Sequence, residues 1–190
     1  KEVTPLFHQG LTYGDPDVDA LTRFNMQPDL GLFDHQTIRG VGTGDFTPIN
    51  TQNSGLVAKY VPFWWAPRWC GRHWDIVAGM IVQRVIQLYE GTDAVTYGGP
   101  LTFSVRNQHD MADDIRNEAV GAEIVERLAQ LLAQNVGYAI QWHGGSVKPA
   151  SPMAAYRILA TGLKQNGTRY MYHLGEAMEV WATFLQGRMP

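Results

Sequence analysis

Residues 75–90, DIVAGMIVQRVIQLYE, predict a helix that is apolar on almost every side. Large apolar side chains recur at helical spacing and two isoleucines broaden the stripe: Val77, Met80, Ile81, Val85 and Leu88, with Ile76 and Ile86. Asp75 suits the start of this helix, and Gly91 suits its end, because glycine readily adopts the left-handed conformation that follows many helices. A helix with so little polar surface needs cover on all sides, so we expect it at the centre of the fold.

On both sides of this helix the sequence predicts shorter elements. Apolar residues at helical spacing predict three further helices, over residues 111–135, 151–165 and 176–186. Segments rich in β-branched and aromatic residues predict short strands, over residues 56–61, 95–105, 138–142 and 168–173. The 95–105 segment contains Gly98, Gly99 and Pro100, so it predicts either a broken strand or a hairpin. The fold class is therefore α+β, helix-rich with short strands.

Residues 1–55 are dense in Gly, Pro, Asp, Asn and Thr, which favour turns and loops. Apolar residues punctuate this region without periodicity, at Leu6, Phe7, Leu11, Phe24, Leu32 and Phe33. We expect a loop-rich, extended N-terminal arm with little regular structure, whose apolar side chains are covered by a neighbouring subunit. Residues 56–190 are expected to form one mixed α+β domain. Because the chain begins with Lys1 and not Met, we expect it to be part of a longer protein.

Residues 62–75, PFWWAPRWCGRHWD, contain four of the six tryptophans. Pro62 and Pro67 make this stretch irregular and stiff, so it would lose little entropy on docking. Trp74 adjoins the central helix and is expected in the core. The other Trp and Arg side chains belong to the residue types that dominate binding hot spots. We expect an interface between subunits formed by Trp64, Trp65, Arg68, Trp69 and Arg72.

The composition also favours assembly. Only 17% of the residues are charged, whereas a typical soluble domain has about 25%. Arg outnumbers Lys by 11 to 4, and the chain has six Trp, eight Tyr and seven Met. Protein interfaces are depleted in Lys, Glu and Asp and enriched in Trp, Tyr, Met and Arg. The profile indicates a subunit covered by its neighbours, although an enzyme with an Arg-rich codon bias would share it.

Several classes of function receive no support. With a net charge of −3 the chain has no excess of basic residues to bind duplex DNA or an anionic membrane, although a local basic patch could still do so. No apolar run approaches the ~20 residues of a membrane-spanning helix. The single cysteine, Cys70, permits no internal disulfide and favours a reducing compartment. We therefore expect no membrane contact, no cofactor and no metal.

One polar cluster offers an alternative. Residues 107–118, NQHDMADDIRNE, supply candidate metal ligands or acid–base groups at His109, Asp110, Asp113 and Asp114. Two further histidines at the ends of predicted strands could join His109 in a three-histidine metal site, namely His143 and His173. The spacing matches no specific metal motif, and aspartates at a helix start commonly cap it. We prefer the capping interpretation.

We interpret the chain as a structural subunit, or a processed fragment of one, in a large protein assembly. The most concrete version is a viral or phage capsid or shell component, located in a virion or a cytoplasmic assembly. Its partners would be copies of itself or other subunits. One alternative is a metal-assisted hydrolase that uses the 107–118 cluster. Another is a single-stranded nucleic-acid or carbohydrate binder that uses exposed, coplanar rings of the Trp-rich stretch.

Overall fold

A central helix organises the structure. The computed structural model describes residues 4–14, 20–25, 39–40, 46–91, 95–104, 110–141 and 148–188. Helix α2 spans Trp74–Glu90 and buries an unbroken run from Val77 to Ile86. Gly91 follows with a φ of 74°, and its N–H donates to the Gln87 carbonyl at 2.9 Å. The predicted helix, its end and its burial are all confirmed.

Four elements surround α2. They are a 3₁₀ helix at Ala58–Phe63, a second 3₁₀ helix at Arg68–His73, α3 at Met111–Gln141 and α4 at Pro152–Asn166. The Ser151 side chain caps α4 by accepting from the Ala154 N–H at 3.1 Å. The core is continuous from these helices to the sheet and includes Phe7, Ile49, Phe63, Ile124, Leu128 and Tyr156. Within the described ranges, no helix combines the length and the apolarity needed to cross a bilayer.

Two buried glutamines hold the irregular segment 46–53 against the core. The Gln83 side chain accepts from the Thr47 N–H at 3.2 Å and donates to the Thr47 carbonyl at 2.8 Å, so it replaces a strand-like backbone pair. Gln9 accepts from the Asn50 N–H at 3.1 Å. Burying a side-chain amide is costly unless its polar atoms form hydrogen bonds. Here those hydrogen bonds also pair backbone groups of segment 46–53, which has no strand partner.

The sheet is small and mixed. Its order is β2-β4-β1-β3, formed by Arg39–Gly40, Val95–Ser104, Phe7–Gly14 and Ser54–Leu56. The two long central strands, β1 and β4, run parallel, and both outer strands are antiparallel to them. A bulge interrupts β4 between Gly98 and Thr102, where Pro100 cannot donate a ladder hydrogen bond. Of the two alternatives predicted for 95–105, a broken strand or a hairpin, the structure has the broken strand over Val95–Ser104.

In the N-terminal region the described residues include the irregular segment 46–53, in agreement with the predicted loops, and an unpredicted central strand. Phe7 of β1 is fully buried in the chain's own core, so the expectation that it needs cover from a neighbour is wrong. The parallel partner β4 helps to cover it. The local sequence pattern does not reveal this pairing, because the two parallel strands are far apart in the chain. Leu11 remains exposed. The predicted arm residues Leu32 and Phe33 lie outside the described residues.

Three predicted strands are wholly or partly helical. Residues 138–141 continue α3, because extending an existing helix is easier than starting a new element. Residues 169–173 begin α5, which spans Arg169–Leu185. In the 56–61 segment only Leu56 is in a strand, and the 3₁₀ helix at Ala58–Phe63 follows. In α5, tertiary packing overrides the strand propensity of Tyr and Thr, since its buried side extends back to Met171.

Helices α4 and α5 form an antiparallel hairpin with close backbone contact. The buried side of α5 consists of Met171, Leu174, Gly175, Met178, Ala182 and Leu185. A Cβ added at Gly175 would lie 2.5 Å from the Ala160 carbonyl oxygen, which belongs to the α4 backbone. A Cβ added at Gly162 of α4 would meet no atom within 4 Å. The hairpin therefore depends on one of these two glycines and not on the other.

We expect Ile81→Ala to lower the free energy of unfolding by about 2–5 kcal/mol, because it opens a cavity around the fully buried Ile81. Urea titration followed by circular dichroism measures the change. Val120→Ala is the control on α3, where the side chain is 45% exposed and lies outside the candidate interface, and it should change the free energy by less than about 0.5 kcal/mol. Equal effects at both positions would contradict the central position of α2.

We expect Gly175→Ala to destabilise the protein by about 1–3 kcal/mol, because the new methyl group must displace the α4 backbone. Gly162→Ala should be neutral or stabilise the protein by up to about 1 kcal/mol, since it restricts the unfolded chain and meets open space. Thermal unfolding of the two variants side by side gives the comparison. A Gly175→Ala protein as stable as Gly162→Ala would refute the close hairpin contact.

Candidate protein–protein interface

The Trp-rich stretch runs from the end of the first 3₁₀ helix, through the second, to the start of α2. Gly71 has a φ of 62°, a left-handed conformation that favours glycine, and it turns the chain into α2. Trp64 packs edge-on against Phe7 of β1, with ring centroids 5.0 Å apart. Trp74 is 41% exposed, so the expectation that it belongs to the core is wrong. It begins α2 ahead of the first buried residue, Val77, where the helix emerges from the core.

Two of the predicted interface tryptophans lie beside α5. The Trp65 ring stacks on Trp181 with centroids 5.1 Å apart and an interplanar angle of 8°. Trp69 lies 6.4 Å from the ring of Tyr170 and is 42% exposed. The Trp181 indole N–H donates to the Pro62 carbonyl at 2.7 Å. The Trp-rich stretch and the outer side of α5 therefore form one continuous surface.

Aromatic and aliphatic side chains of α5 complete this surface. Phe184 stacks on Trp181 at 5.2 Å and carries the Arg188 guanidinium over its ring at 4.5 Å. Phe184 is 50% exposed and Val180 is 72% exposed. We call this surface the α5 face and define it as Trp65, Trp69, Tyr170, Val180, Trp181 and Phe184. Arg68 is exposed nearby in the sequence. Because Trp181 and Phe184 already stack within the chain, part of their ring surface is not open to a base or sugar.

The strand predicted over residues 168–173 hides the start of α5 and with it Tyr170, which belongs to this surface. Extending the helix to Arg169 places Tyr170 on the same side as Ala177 and Phe184. The signal was present in the spacing of Tyr170, Ala177 and Phe184.

Arg72 is engaged within the chain. It forms an ion pair with Asp114 of α3, and its Nε lies 3.6 Å from a carboxylate oxygen of Glu118. The other Glu118 oxygen accepts from the Ala20 N–H at 2.7 Å, at the start of α1 (Ala20–Asn25). These contacts connect the second 3₁₀ helix, α3 and α1. Arg72 could serve an interface only while also holding this network together.

Two aspartates of the polar cluster, Asp110 and Asp113, accept hydrogen bonds at the start of α3. Asp110 accepts from the N–H groups of Ala112 at 3.0 Å and Asp113 at 3.1 Å, which confirms its predicted capping role. Asp113 in turn accepts from Asn117 at 2.9 Å. His109 and His143 lie outside the described residues. In the parts of the chain that the structure describes, no three His, Cys, Asp or Glu side chains come together as potential metal ligands.

Two candidate reactive residues remain, His173 and Cys70. His173 is exposed on α5, and its Nδ1 lies 3.1 Å from the Glu176 carboxylate. Cys70 is buried, and burial raises the pKa of its thiol to about 12. A thiol with that pKa stays protonated near neutral pH, so it is a poor nucleophile.

A second exposed apolar surface lies at the far end of the sheet. Strands β2 and β3 pair only with the first halves of β4 and β1. Past them, residues 11–14 of β1 and 101–104 of β4 continue as a two-stranded parallel pair. We call this pair the ribbon tip. Its side chains include Leu101, 81% exposed, and Phe103, 71% exposed. A strand pair of this kind is marginally stable without further cover.

We expect Asp110→Ala to cost about 0.5–2 kcal/mol of stability, because it removes the N-cap of α3. Asp113→Ala is the control, since it removes only exposed side-chain contacts and should cost less than about 0.5 kcal/mol. Urea denaturation measures both. Stoichiometric divalent metal in the purified protein that disappears in Asp110→Ala would instead support the hydrolase.

Comparison with protein-family models gave no match, and comparison with curated protein sequences gave none either. The geometry of the two exposed apolar surfaces therefore carries the functional argument.

Proposed function

We propose that this chain is a structural subunit of a larger protein assembly. The observation that carries the proposal is the α5 face, a continuous surface of large apolar side chains on a regular helix. Large exposed apolar patches mark interaction sites on soluble proteins. Trp, Tyr and Arg are also the residue types that dominate binding hot spots, and Arg188 lies over the Phe184 ring here.

The ribbon tip supports an assembly larger than a dimer. A single self-complementary surface closes a pair of subunits and allows no further growth. This chain has a second apolar surface on different elements, centred on Leu101 and Phe103. Two independent surfaces permit rings, layers or shells, depending on the angle between the contacts. A viral or phage capsid or shell component is the most concrete form of this proposal, and it agrees with the low content of charged residues.

The structure determines which substitutions can test assembly without also unfolding the chain. Removing residues 1–30 would delete β1, whose Phe7 is part of the core, so loss of assembly would only report unfolding. Trp65→Ala would likewise remove a stack within the chain. Substitutions on the ribbon tip avoid both problems because their side chains are exposed.

We expect the wild-type protein to have a mass of at least two chains by light scattering at micromolar concentration. The double variant Leu101→Asp/Phe103→Asp should give smaller species, because charge at the ribbon tip opposes its burial. Thr102→Asp is the matched control, since it adds charge to an exposed neighbour between these residues. Circular dichroism verifies that all the variants are folded. A wild-type protein that stays monomeric at every concentration refutes the proposed function.

A further inference from the structure

Two arginines are attached to the turn that follows α5. Gly187, with a φ of 79°, turns the chain after the helix, and the Arg188 guanidinium lies over the Phe184 ring at 4.5 Å. Its Nη1 donates to the Phe184 carbonyl oxygen at 2.7 Å. From α4, the Nη2 of Arg157 donates to the Gln186 side-chain oxygen at 3.1 Å. Both guanidinium groups are therefore held at the same short turn, each by a neutral acceptor.

Within the described ranges, no acidic side chain forms an ion pair with either arginine. Helix α4 contains no Asp or Glu, and the last acidic residue of α5 is Glu179, which pairs with Lys164 at 2.8 Å. The carbonyl groups at the end of α5 carry the equivalent of about half a negative charge, so they offset only part of the excess. This end of the α4–α5 hairpin therefore attracts an anion from outside the chain.

Arg188 is prepared to bind such an anion. The stacking on Phe184 and the hydrogen bond from Nη1 fix the plane of the guanidinium group, so little side-chain entropy is left to lose on binding. The Nε and Nη2 groups have no acceptor in the described part of the chain. These two groups donate in parallel and match the two oxygens of a carboxylate.

The surroundings of Phe184 favour a protein partner over a nucleic acid. Trp181, three residues earlier, stacks on the Phe184 ring at 5.2 Å, and Arg188, four residues later, lies over the ring from the other direction along the chain. A base would need an open ring face for stacking, whereas the exposed part of Phe184 is mainly its edge. Val180, one helical turn earlier, is exposed and extends this apolar edge. An apolar strip that ends at a fixed guanidinium complements a segment with neighbouring apolar and acidic side chains.

Resting on the proposed function, we propose that the outer side of α5 from Val180 to Arg188 docks an acidic, apolar segment of another subunit. A carboxylate of that segment binds Nε and Nη2 of Arg188, and Arg157 supplies a second positive charge. An apolar side chain of the same segment packs against Phe184 and Val180. Tyr170 is about 21 Å from Phe184 along α5 and lies outside this site.

Fluorescence anisotropy with a defined peptide tests the docking. The probe is a labelled nonapeptide in which Glu and Leu alternate, and the same peptide with Gln in place of Glu is its neutral counterpart. We expect the Glu peptide to bind more tightly, and its binding to weaken as the salt concentration rises, because salt screens the ion pair. Arg188→Gln should weaken its binding about tenfold, since the bidentate partner is lost. Arg188→Lys should also weaken it, because lysine keeps the charge but lacks the planar fork.

The double variant Arg157→Gln/Arg188→Gln should bind the Glu peptide no better than the Gln peptide. Its matched control is Arg116→Gln/Arg127→Gln, which removes the same charge from two exposed residues of α3. The control should stay within about twofold of the wild type, because removing distant exposed charges has a small, screened effect. Circular dichroism verifies folding. If Arg157→Gln disturbs the hairpin, the single variant Arg188→Gln remains decisive, because Arg188 is exposed beyond the end of α5.

Equal binding of the Glu and Gln peptides, or binding of neither, overturns the docking site. Tighter binding of a labelled oligothymidylate that depends on Arg188 also overturns it and would indicate a nucleic-acid partner. The proposed function fails separately. A wild-type protein that is monomeric by light scattering but binds the Glu peptide through Arg188 refutes the assembly and retains the docking chemistry. An oligomer that binds no peptide refutes the docking site and leaves assembly through another surface.

Discussion

The rest of the structure depends on the burial of α2. Ten consecutive residues, from Val77 to Ile86, are buried, so neighbouring elements must cover the helix on every side. The segment around Ile49, the two 3₁₀ helices, α3 and α4 provide this cover. Burying an aliphatic side chain contributes about 1.5–3 kcal/mol, so this one helix accounts for much of the apolar driving force. The other elements are placed by the need to enclose it.

This requirement explains why α5 keeps a free apolar side. The inner surface of α4 meets α2, and α5 packs mainly on α4, one layer further from the centre. One side of α5 is satisfied by that hairpin, while Val180 and Phe184 on the α5 face remain 72% and 50% exposed. The Trp-rich stretch contributes Trp65 and Trp69 to the same face. The four neighbouring tryptophans therefore divide between two roles, since Trp64 packs against the core and Trp69 extends an exposed face.

The sequence predicted features that depend on local pattern and missed features that depend on distant partners. The length of α2 and the Asp110 cap follow from spacing and end-group chemistry, and both were predicted correctly. Strand β1 was missed because Gly10 and Gly14 mask its pattern and because its parallel partner is remote. The strand assigned to residues 168–173 was wrong, since Tyr and Thr favour strands until packing on α4 decides otherwise. The same error concealed Tyr170, one of the six residues of the α5 face.

The parallel pairing of β1 with β4 has a consequence for the order of folding. His8 and Thr96, which share a hydrogen bond in this pair, are 88 positions apart in the chain. Closing so long a loop costs entropy before any contact compensates for it, and contacts of this kind slow folding. During synthesis β1 can pair with β3 first, but its other edge stays open until β4 has left the ribosome. In that interval the strand that carries Phe7 is available to other chains, so a cell making this protein at high levels would face competition between folding and aggregation.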